Sequence, residues 1–149
     1  MKIAAGSDHA GFAGKEHLKG WLAERGHEVI DLGTHGPESV DYPDFAARVA
    51  RAVAAGEAPF GLLLCGTGIG VSIAANKVRG IRAAHCTDPY QARLARQHND
   101  ANILCLGGRV SGLGLMEAIL ESFLSHGFDG GRHQVRVEKI RRLEPTESA

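Results

Sequence analysis

The fold of this chain is decided by the segment Phe60-Gly61-Leu62-Leu63-Leu64-Cys65-Gly66-Thr67-Gly68-Ile69-Gly70. Its first five residues form a continuous apolar run, which is typical of a β-strand covered on both faces. Its last six residues place a glycine at every second position, which indicates a tight turn leading into a helix. A strand, a glycine-rich turn and a helix in this order indicate one unit of a parallel α/β sheet.

Similar strand and helix patterns extend from this segment towards both ends of the chain. Apolar runs predict strands at residues 2–7, 28–32, 60–64, 81–86 and 102–106. Helical spacing predicts helices at 12–25, 41–56, 87–97, 113–125 and 132–142, and a short one through Ile73 and Ala75. This order predicts an α/β fold: a single-domain doubly wound (Rossmann-like) parallel five-stranded sheet with helices on both faces and a C-terminal helix. Residues 1–149 are expected to form that one domain, with a frayed tail from about residue 144.

Length and composition are those of an ordinary globular protein. A chain of 149 residues with 44% hydrophobic and 23% charged residues is long enough to bury a core and falls outside the disordered class. Lys+Arg and Asp+Glu both number 17, so the charge balance favours neither nucleic acid nor an anionic membrane as a partner. The first apolar run breaks at Gly6-Ser7-Asp8, too early for a signal peptide, and no stretch approaches the roughly 20 apolar residues of a membrane helix. Three cysteines without metal-ligand spacing predict free thiols and a cytoplasmic location.

The glycine-rich turn indicates an anion site, but it matches none of three familiar loops. Backbone N–H groups can approach an anion closely where glycines lead into a helix. A Walker-type loop requires Gly-Lys-Ser/Thr, whereas Gly70 is followed by Val71-Ser72. A dinucleotide fingerprint requires glycine or alanine at Val71, although Asp88 does lie at about the right distance for its ribose contact. A cysteine phosphatase loop requires arginine at the position of Val71. A nucleotide-binding module is therefore the weaker alternative.

Cys65 has two interpretations on these grounds. At a strand end, facing turn amides beside an anion site, a cysteine supplies thiolate near neutral pH. Free cysteine is also among the residue types most often buried in cores, so a purely structural role for Cys65 stays open. For Cys86 and Cys105 the core role is favoured, because free cysteine behaves as a small buried apolar residue.

Ligands of a parallel sheet bind beyond the carboxyl ends of its strands, which selects further candidates. Asp8 and His9 follow the first strand, although an aspartate there is often only a turn residue. The segment Gly107-Gly108-Arg109 follows the fifth strand. Arg132 and Arg136 are four residues apart on one helix, so they either grip a phosphate dianion together or belong to a solvated basic face.

Six motifs accumulate along the chain in unbroken order, from Met1 to about Leu143. They are Ser7-Asp8-His9-Ala10-Gly11-Phe12, Asp41-Tyr42-Pro43, Cys65-Gly66-Thr67-Gly68-Ile69-Gly70, Ala74-Ala75-Asn76-Lys77, Arg96-Gln97-His98-Asn99-Asp100 and Gly130-Gly131-Arg132-His133-Gln134-Val135-Arg136. Any one of these strings is a weak signal, whereas six in order are highly specific. The chain resembles type B ribose-5-phosphate isomerase.

The resemblance implies interconversion of ribose 5-phosphate and ribulose 5-phosphate with no metal and no organic cofactor. Cys65 would move a proton from C2 to C1 through a cis-enediolate. The Thr67 hydroxyl would stabilise the enediolate oxygens. Backbone N–H groups of the turn would act with it as an oxyanion hole, and these belong to Gly66, Gly68, Ile69 and Gly70. His98 would assist opening of the furanose ring as an acid or base.

The resemblance also implies the contacts that bind the substrate, a small sugar phosphate. Hydroxyl groups of the sugar would be held by Asp8, Tyr42 and Asn99. The phosphate would be held by His9, Arg109, Arg132 and Arg136.

Topology predicts that this site is shared between subunits. Cys65 follows the third strand, whereas His98 and Asn99 precede the fifth, so they lie at opposite edges of a parallel sheet. Five residues at about 3.3 Å each separate those edges by roughly 17 Å, which no single proton transfer spans. His98 must then come from a second copy of the chain, which predicts a homodimer or a dimer of dimers.

Other functions stay open on the sequence alone. Members of the same family act on six-carbon sugars, such as allose 6-phosphate and galactose 6-phosphate, and some act only as mixed pairs of subunits. Sequence patterns do not report pocket size, so they do not separate five-carbon from six-carbon substrates.

Overall fold

The computed structural model describes residues 1–145 of the chain. Its five strands are β1 (Lys2–Ser7), β2 (Glu28–Asp31), β3 (Phe60–Cys65), β4 (Ala83–His85) and β5 (Ile103–Gly107). Its helices are α1 (Phe12–Glu24), α2 (Tyr42–Ala54), α3 (Ile69–Ala75), α4 (Pro89–Asn99), α5 (Leu113–Leu124) and α6 (Arg132–Arg141). Each predicted strand and helix is present.

The strands form one parallel sheet in the order β2-β1-β3-β5-β4. The central strand β3 pairs with β1 on one side and with β5 on the other, and its three leucines are fully buried. This burial explains why β3 is a continuous apolar run rather than an alternating one. The predicted doubly wound α/β sheet is confirmed.

Two hydrophobic cores cover the two faces of the sheet. Leu62 and Leu64 of β3 point into one core, which is closed by α1, α4 and α5. Leu63 and Cys65 point into the other, which is closed by α2 and α3. The alternation along β3 therefore places the Cys65 side chain on the face of the sheet that α2 and α3 cover.

Some boundaries differ from the sequence prediction. β4 is shorter than the predicted 81–86, because the Ile81 N–H closes a turn on Val78 and the Arg82 N–H bonds to the Asn102 side chain. Asp41 occupies the N-cap position of α2 but its side chain makes no capping bond, whereas Asp88 caps α4 by accepting from the Gln91 N–H at 2.9 Å.

Glu144, after the end of α6, contacts the segment before β4. It accepts a hydrogen bond from the Gly80 N–H at 3.0 Å and lies 3.5 Å from Arg79. The rest of the predicted tail, residues 146–149, lies outside the described residues. No helix among the described residues is both long enough and apolar enough to span a membrane.

Candidate active site

A cavity of about 420 Å³ opens at the carboxyl edge of the sheet. It forms there because β1 and β3 are neighbours, so the segments that follow them meet, and the Asp8 N–H donates to the Leu64 carbonyl at 3.2 Å. The cavity is lined by Asp8, Tyr42, Cys65, Gly66, Thr67, Ile69, Gly70 and Ile73. All of these except Ile73 are predicted site residues, so the cavity brings half of the predicted site together.

Gly68 directs a backbone amide at the Cys65 sulfur. Cys65 is only 4% exposed, and its Sγ accepts from the Gly68 N–H at 3.2 Å. Gly68 has φ +80°, and a Cβ added there would lie 2.7 Å from the His85 ring and 2.8 Å from the carbonyl carbon of Leu106. Only glycine fits this position, and its amide supplies a hydrogen-bond donor to the Cys65 sulfur.

The remaining residues of the turn form the wall of the cavity. The Thr67 hydroxyl accepts from the Ile69 N–H at 3.2 Å. Tyr42, the first residue of α2, packs against Gly70 so closely that a Cβ there would lie 2.7 Å from its ring. Ile69 and Ile73 of α3 are 50% and 58% exposed, which leaves an apolar rim beside the cavity.

Asp8 serves both as a turn residue and as a wall of the cavity. Its Oδ1 accepts from the Gly11 N–H at 3.0 Å, which fixes the turn after β1, and the residue is 6% exposed. The neighbouring His9 accepts from the Val40 N–H through Nδ1 at 3.2 Å. That bond assigns the ring proton to Nε2, which leaves Nε2 as the donor for a ligand.

Arg109 lies at the same edge, because β5 is the other neighbour of β3. Its N–H donates to the Gly66 carbonyl at 3.0 Å, and the preceding Gly108 N–H donates to the Cys65 carbonyl at 2.8 Å. The Arg109 guanidinium passes beside Gly66, where an added Cβ would lie 3.5 Å from it. Arg109 is exposed, so its charge is available to an anion at this edge.

The other predicted site residues form a second group that does not line the cavity. His98, near the end of α4, stacks on His133 of α6 with ring centroids 4.0 Å apart and 9° between planes. Arg132 and Arg136 lie on the same helix as His133. Asn99 is exposed at the end of α4, and its carbonyl accepts from Arg82 Nε at 3.0 Å.

The pairing register places this second group at the amino edge of the sheet. α4 ends at Asn99, shortly before β5 begins at Ile103, and Ile103 pairs with Gly61 at the start of β3. Cys65 pairs with Gly107 at the other end of the same ladder. Four residue steps of about 3.3 Å, or about 13 Å, separate these two levels. The predicted placement of the two groups at opposite edges is confirmed.

Three groups in this region lie close enough to be considered as metal ligands. The nitrogen and oxygen atoms of His98, Asp129 and His133 all lie within 4.8 Å of one another. The imidazole lone pairs lie in the planes of rings that are nearly parallel, so they do not converge on one ion at the 2.0–2.1 Å typical of zinc–nitrogen bonds. The arrangement is therefore poorly suited to a shared metal ion.

Burial and positive neighbours govern the ionisation of His133. Its pKa is lowered by burial first, then by His98, Arg132 and Arg136, while Asp129 acts in the opposite direction. Burial also raises the pKa of the Cys86 thiol to about 12 and that of Cys105 well above its ordinary value. All three cysteines are free and buried. The predicted core role of Cys86 and Cys105 agrees with this chemistry, since neither supplies thiolate near neutral pH.

Sequence reasoning missed two residues of these groups. Ile73 lines the cavity because one apolar side of α3 faces outward. The apolar pattern of the sequence does not indicate that this side chain is exposed. His133 lies inside one of the quoted motifs, and its spacing from the buried Val137 signals the inner face of α6. Nothing in the spacing signals that this face meets His98.

Known proteins resemble this chain over almost its whole length. The family model for Ribose/Galactose Isomerase matches residues 3–140. Ribose-5-phosphate isomerase B of Escherichia coli strain K12 is 54% identical over 143 residues, which cover 96% of each chain. Galactose-6-phosphate isomerase subunit LacB of Clostridium acetobutylicum is 45% identical over 124 residues, covering 83% of this chain and 72% of that protein.

A solved structure agrees with these sequence matches. Ribose-5-phosphate isomerase B from Clostridium thermocellum superposes with a TM-score of 0.95 at 58% identity, covering 96% of this chain and 97% of that chain. The family model, the sequence relatives and the fold give the same answer as the six motifs. The chain belongs to the ribose/galactose isomerase family.

Proposed function

We propose that this protein interconverts ribose 5-phosphate and ribulose 5-phosphate without a cofactor. The observation that carries the proposal is the Cys65 sulfur held by the Gly68 N–H in a cavity large enough for a sugar phosphate. The relatives named ribose-5-phosphate isomerase B support the choice of a five-carbon substrate.

Proton transfer between neighbouring carbons is the central step of the proposed reaction. The Cys65 thiolate takes the C2 proton of the open-chain aldose, and the electrons move onto the carbonyl oxygen to give a cis-enediolate. The thiol then returns the proton to C1 while the proton of the C2 hydroxyl moves to the oxygen on C1, which leaves a ketone at C2 and a hydroxyl at C1 and restores the thiolate. Amides of the turn and the Thr67 hydroxyl offset the negative charge on the enediolate oxygens.

Ring opening and binding fall to the remaining residues. His98 gives a proton to the furanose ring oxygen as the bond from that oxygen to C1 breaks, and then accepts the proton of the C1 hydroxyl. Asp8, Tyr42 and Asn99 hold sugar hydroxyls. The phosphate is held by His9, Arg109, Arg132 and Arg136.

The active unit is proposed to be a dimer in which each site uses both chains. Within one chain the residues around Cys65 and those around His98 lie at opposite edges of a rigid sheet. A two-fold axis that brings the two edges together supplies both groups to one substrate. The exposed apolar side chains of Ile69 and Ile73 beside the cavity suit such an interface.

A six-carbon sugar phosphate is the second candidate substrate. It is favoured by the likeness to galactose-6-phosphate isomerase subunit LacB. Initial rates on ribose 5-phosphate, allose 6-phosphate and galactose 6-phosphate, measured with the chain purified alone, separate the two candidates. A higher kcat/KM on either hexose phosphate would overturn the pentose assignment.

Replacement of the base tests the proposed chemistry directly. Cys65→Ser is expected to keep the fold, judged by circular dichroism, and to lower kcat on ribose 5-phosphate at least a thousandfold, because a hydroxyl is too weak an acid to supply the base. Cys86→Ala is the matched control, since burial keeps that thiol protonated, and it should retain activity. A Cys65→Ser variant within tenfold of the parent would remove Cys65 from the mechanism.

A further inference from the structure

Asp100 follows directly after His98 and Asn99, and the proposed reaction gives it no part. It stands at the C-cap of α4 with φ +46° and ψ +45°, which is the left-handed region of the backbone. Among residues 1–145 it is the one residue other than glycine with a positive φ. Aspartate adopts this conformation more readily than most residues do, but the conformation still costs free energy, so it persists where surrounding contacts hold it.

Two arginines bind the carboxylate of Asp100 and the backbone around it. Arg82 Nη2 donates to Oδ2 at 2.9 Å, and Arg96 Nη1 donates to Oδ1 at 3.0 Å. Arg82 Nε also donates to the carbonyls of Asn99 and Asp100, both at 3.0 Å. Arg96 Nη1 donates to the Ala101 carbonyl as well, at 2.6 Å. We call Arg82, Arg96 and Asp100 the arginine clamp.

The arginine clamp is anchored in the body of the protein. The side chain of Arg96 is 9% exposed, and its guanidinium lies 4.7 Å from the ring centre of Phe60 and 5.8 Å from that of Phe123. Arg82, whose side chain is 11% exposed, directly precedes β4, and its N–H donates to the Asn102 side chain at 2.9 Å. Ion pairs this far from solvent are screened little by salt. The clamp therefore joins the end of α4 to the starts of β3 and β4.

His98 and Asn99 occupy the last two positions of α4, immediately before the Asp100 cap. Helix ends fray where their last carbonyls have no partner. The clamp binds backbone carbonyls at this end, so the side chains of His98 and Asn99 stay available to a substrate. The carboxylate is the group that bridges the two arginines, and without it each guanidinium would be held at the helix end by backbone carbonyls alone.

We propose that Asp100 is a positioning residue, whose carboxylate joins the arginine clamp to the last turn of α4 and so fixes His98 and Asn99 for ring opening and sugar binding. The inference rests on the proposed function. In this assignment Asp100 touches neither the substrate nor a reacting atom, and it exchanges no proton. A displaced His98 lowers kcat/KM by the same factor in both directions, because a catalyst leaves the equilibrium constant of its reaction unchanged.

The test removes the carboxylate in two ways that keep the backbone. Asp100→Asn keeps the shape of the side chain, and Asp100→Gly adopts φ +46° without strain. Both are expected to lower kcat/KM for ribose 5-phosphate at least about tenfold, since a misplacement of about 1 Å can cost about 10²-fold. The ring-proton NMR signals of His98 and His133 should shift, because these rings stack at 4.0 Å.

Asp88→Ala is the matched control. It removes the N-cap bond at the other end of α4, so it should lower the melting temperature. It should keep the parental kcat/KM and the parental histidine signals, because loss of stability alone does not move the signals of the native state.

A further variant approaches the clamp from its other side. Arg82→Lys keeps the charge but lacks the planar fork, so it should also lower kcat/KM and shift the same histidine signals. Parental kinetics in either Asp100 variant, or a loss of activity with unmoved signals of His98, would overturn the assignment. Variants that no longer fold, judged by circular dichroism, would make the clamp a requirement of the fold and overturn it as well.

Failure of the inference can be told apart from failure of the proposed function. A parent chain inactive on ribose 5-phosphate would overturn both together. An active parent with an indifferent Asp100→Asn variant overturns the inference alone.

Discussion

The division of one active site between two chains can be tested by mixing two inactive variants. Cys65→Ser removes the proposed base at the carboxyl edge, and His98→Ala removes the proposed ring-opening group at the amino edge. The register of β3 and β5 separates these levels by about 13 Å within a chain, so each lesion should fall on a different side of the dimer interface. Each variant alone is expected to be nearly inactive on ribose 5-phosphate.

The expected recovery follows from counting sites. In a hybrid dimer one interfacial site carries both lesions and the other carries neither, so a pure hybrid should show about half of the parental activity. Random exchange makes half of all dimers hybrids, so a one-to-one mixture should show about a quarter. If both residues served a site within one chain, every site in the mixture would carry one lesion and no activity would return.

The assay is the initial rate of ketose formation from ribose 5-phosphate after subunit exchange. Mass spectrometry of the intact dimers, with one variant isotopically labelled, shows whether hybrids have formed. Hybrids without recovered activity would refute the interfacial assignment, and with it the reasoning from the strand register.

The remaining predictions concern phosphate binding and stability. Arg136→Ala should raise KM for ribose 5-phosphate about 10- to 150-fold with little change in melting temperature, because a charge-assisted contact contributes about 1.5–3 kcal/mol. The control variant Arg142→Ala, on the same basic stretch, should leave KM unchanged. Asp31→Asn should lower the free energy of unfolding at pH 7, and this free energy should then decrease less steeply in acid than in the parent. Equal acid sensitivity in parent and variant would contradict this. Burial opposes ionisation of Asp31, but bonds from Lys15, Lys19 and the Gly33 N–H outweigh it and lower its pKa from 3.8 to about 2. A lowered pKa stabilises the folded state above pH 4, and chemical denaturation should show that stabilisation being lost as the pH falls from about 4 to 2.

The sequence predicted the fold well because the dominant signals were local. The apolar run of β3, the glycine-rich turn after it and the spacing of Leu18, Trp21 and Leu22 in α1 each depend on neighbours along the chain. The errors came where a contact between distant residues decided the outcome. The Asn102 side chain takes the place of a backbone partner for Arg82, so β4 starts late.

The candidate site likewise has one part that the local sequence predicts and another part that depends on contacts between distant residues. Residues of the turn were predictable because φ +80° at Gly68 and the amide directed at Cys65 are consequences of one short segment. His98 stacks on His133, which lies 35 residues further along the chain, and no periodicity of the sequence predicts this contact. Both histidines lie in motifs that the sequence shows, but the distance between their rings and the parallel orientation depend on how α4 and α6 pack.

The two halves of the site also differ in what holds them in place. Around Cys65 the groups proposed to act on the substrate include backbone amides at the end of a buried strand, so their geometry is fixed by the sheet. Around His98 they are side chains of α4 and α6, so their geometry depends on how these two helices pack against each other. Proton transfer at carbon requires a fixed geometry, whereas ring opening requires a proton available near neutral pH. Within one chain the two groups lie on opposite edges of the sheet, and in the proposed dimer the edge around Cys65 of one chain would meet the edge around His98 of the other.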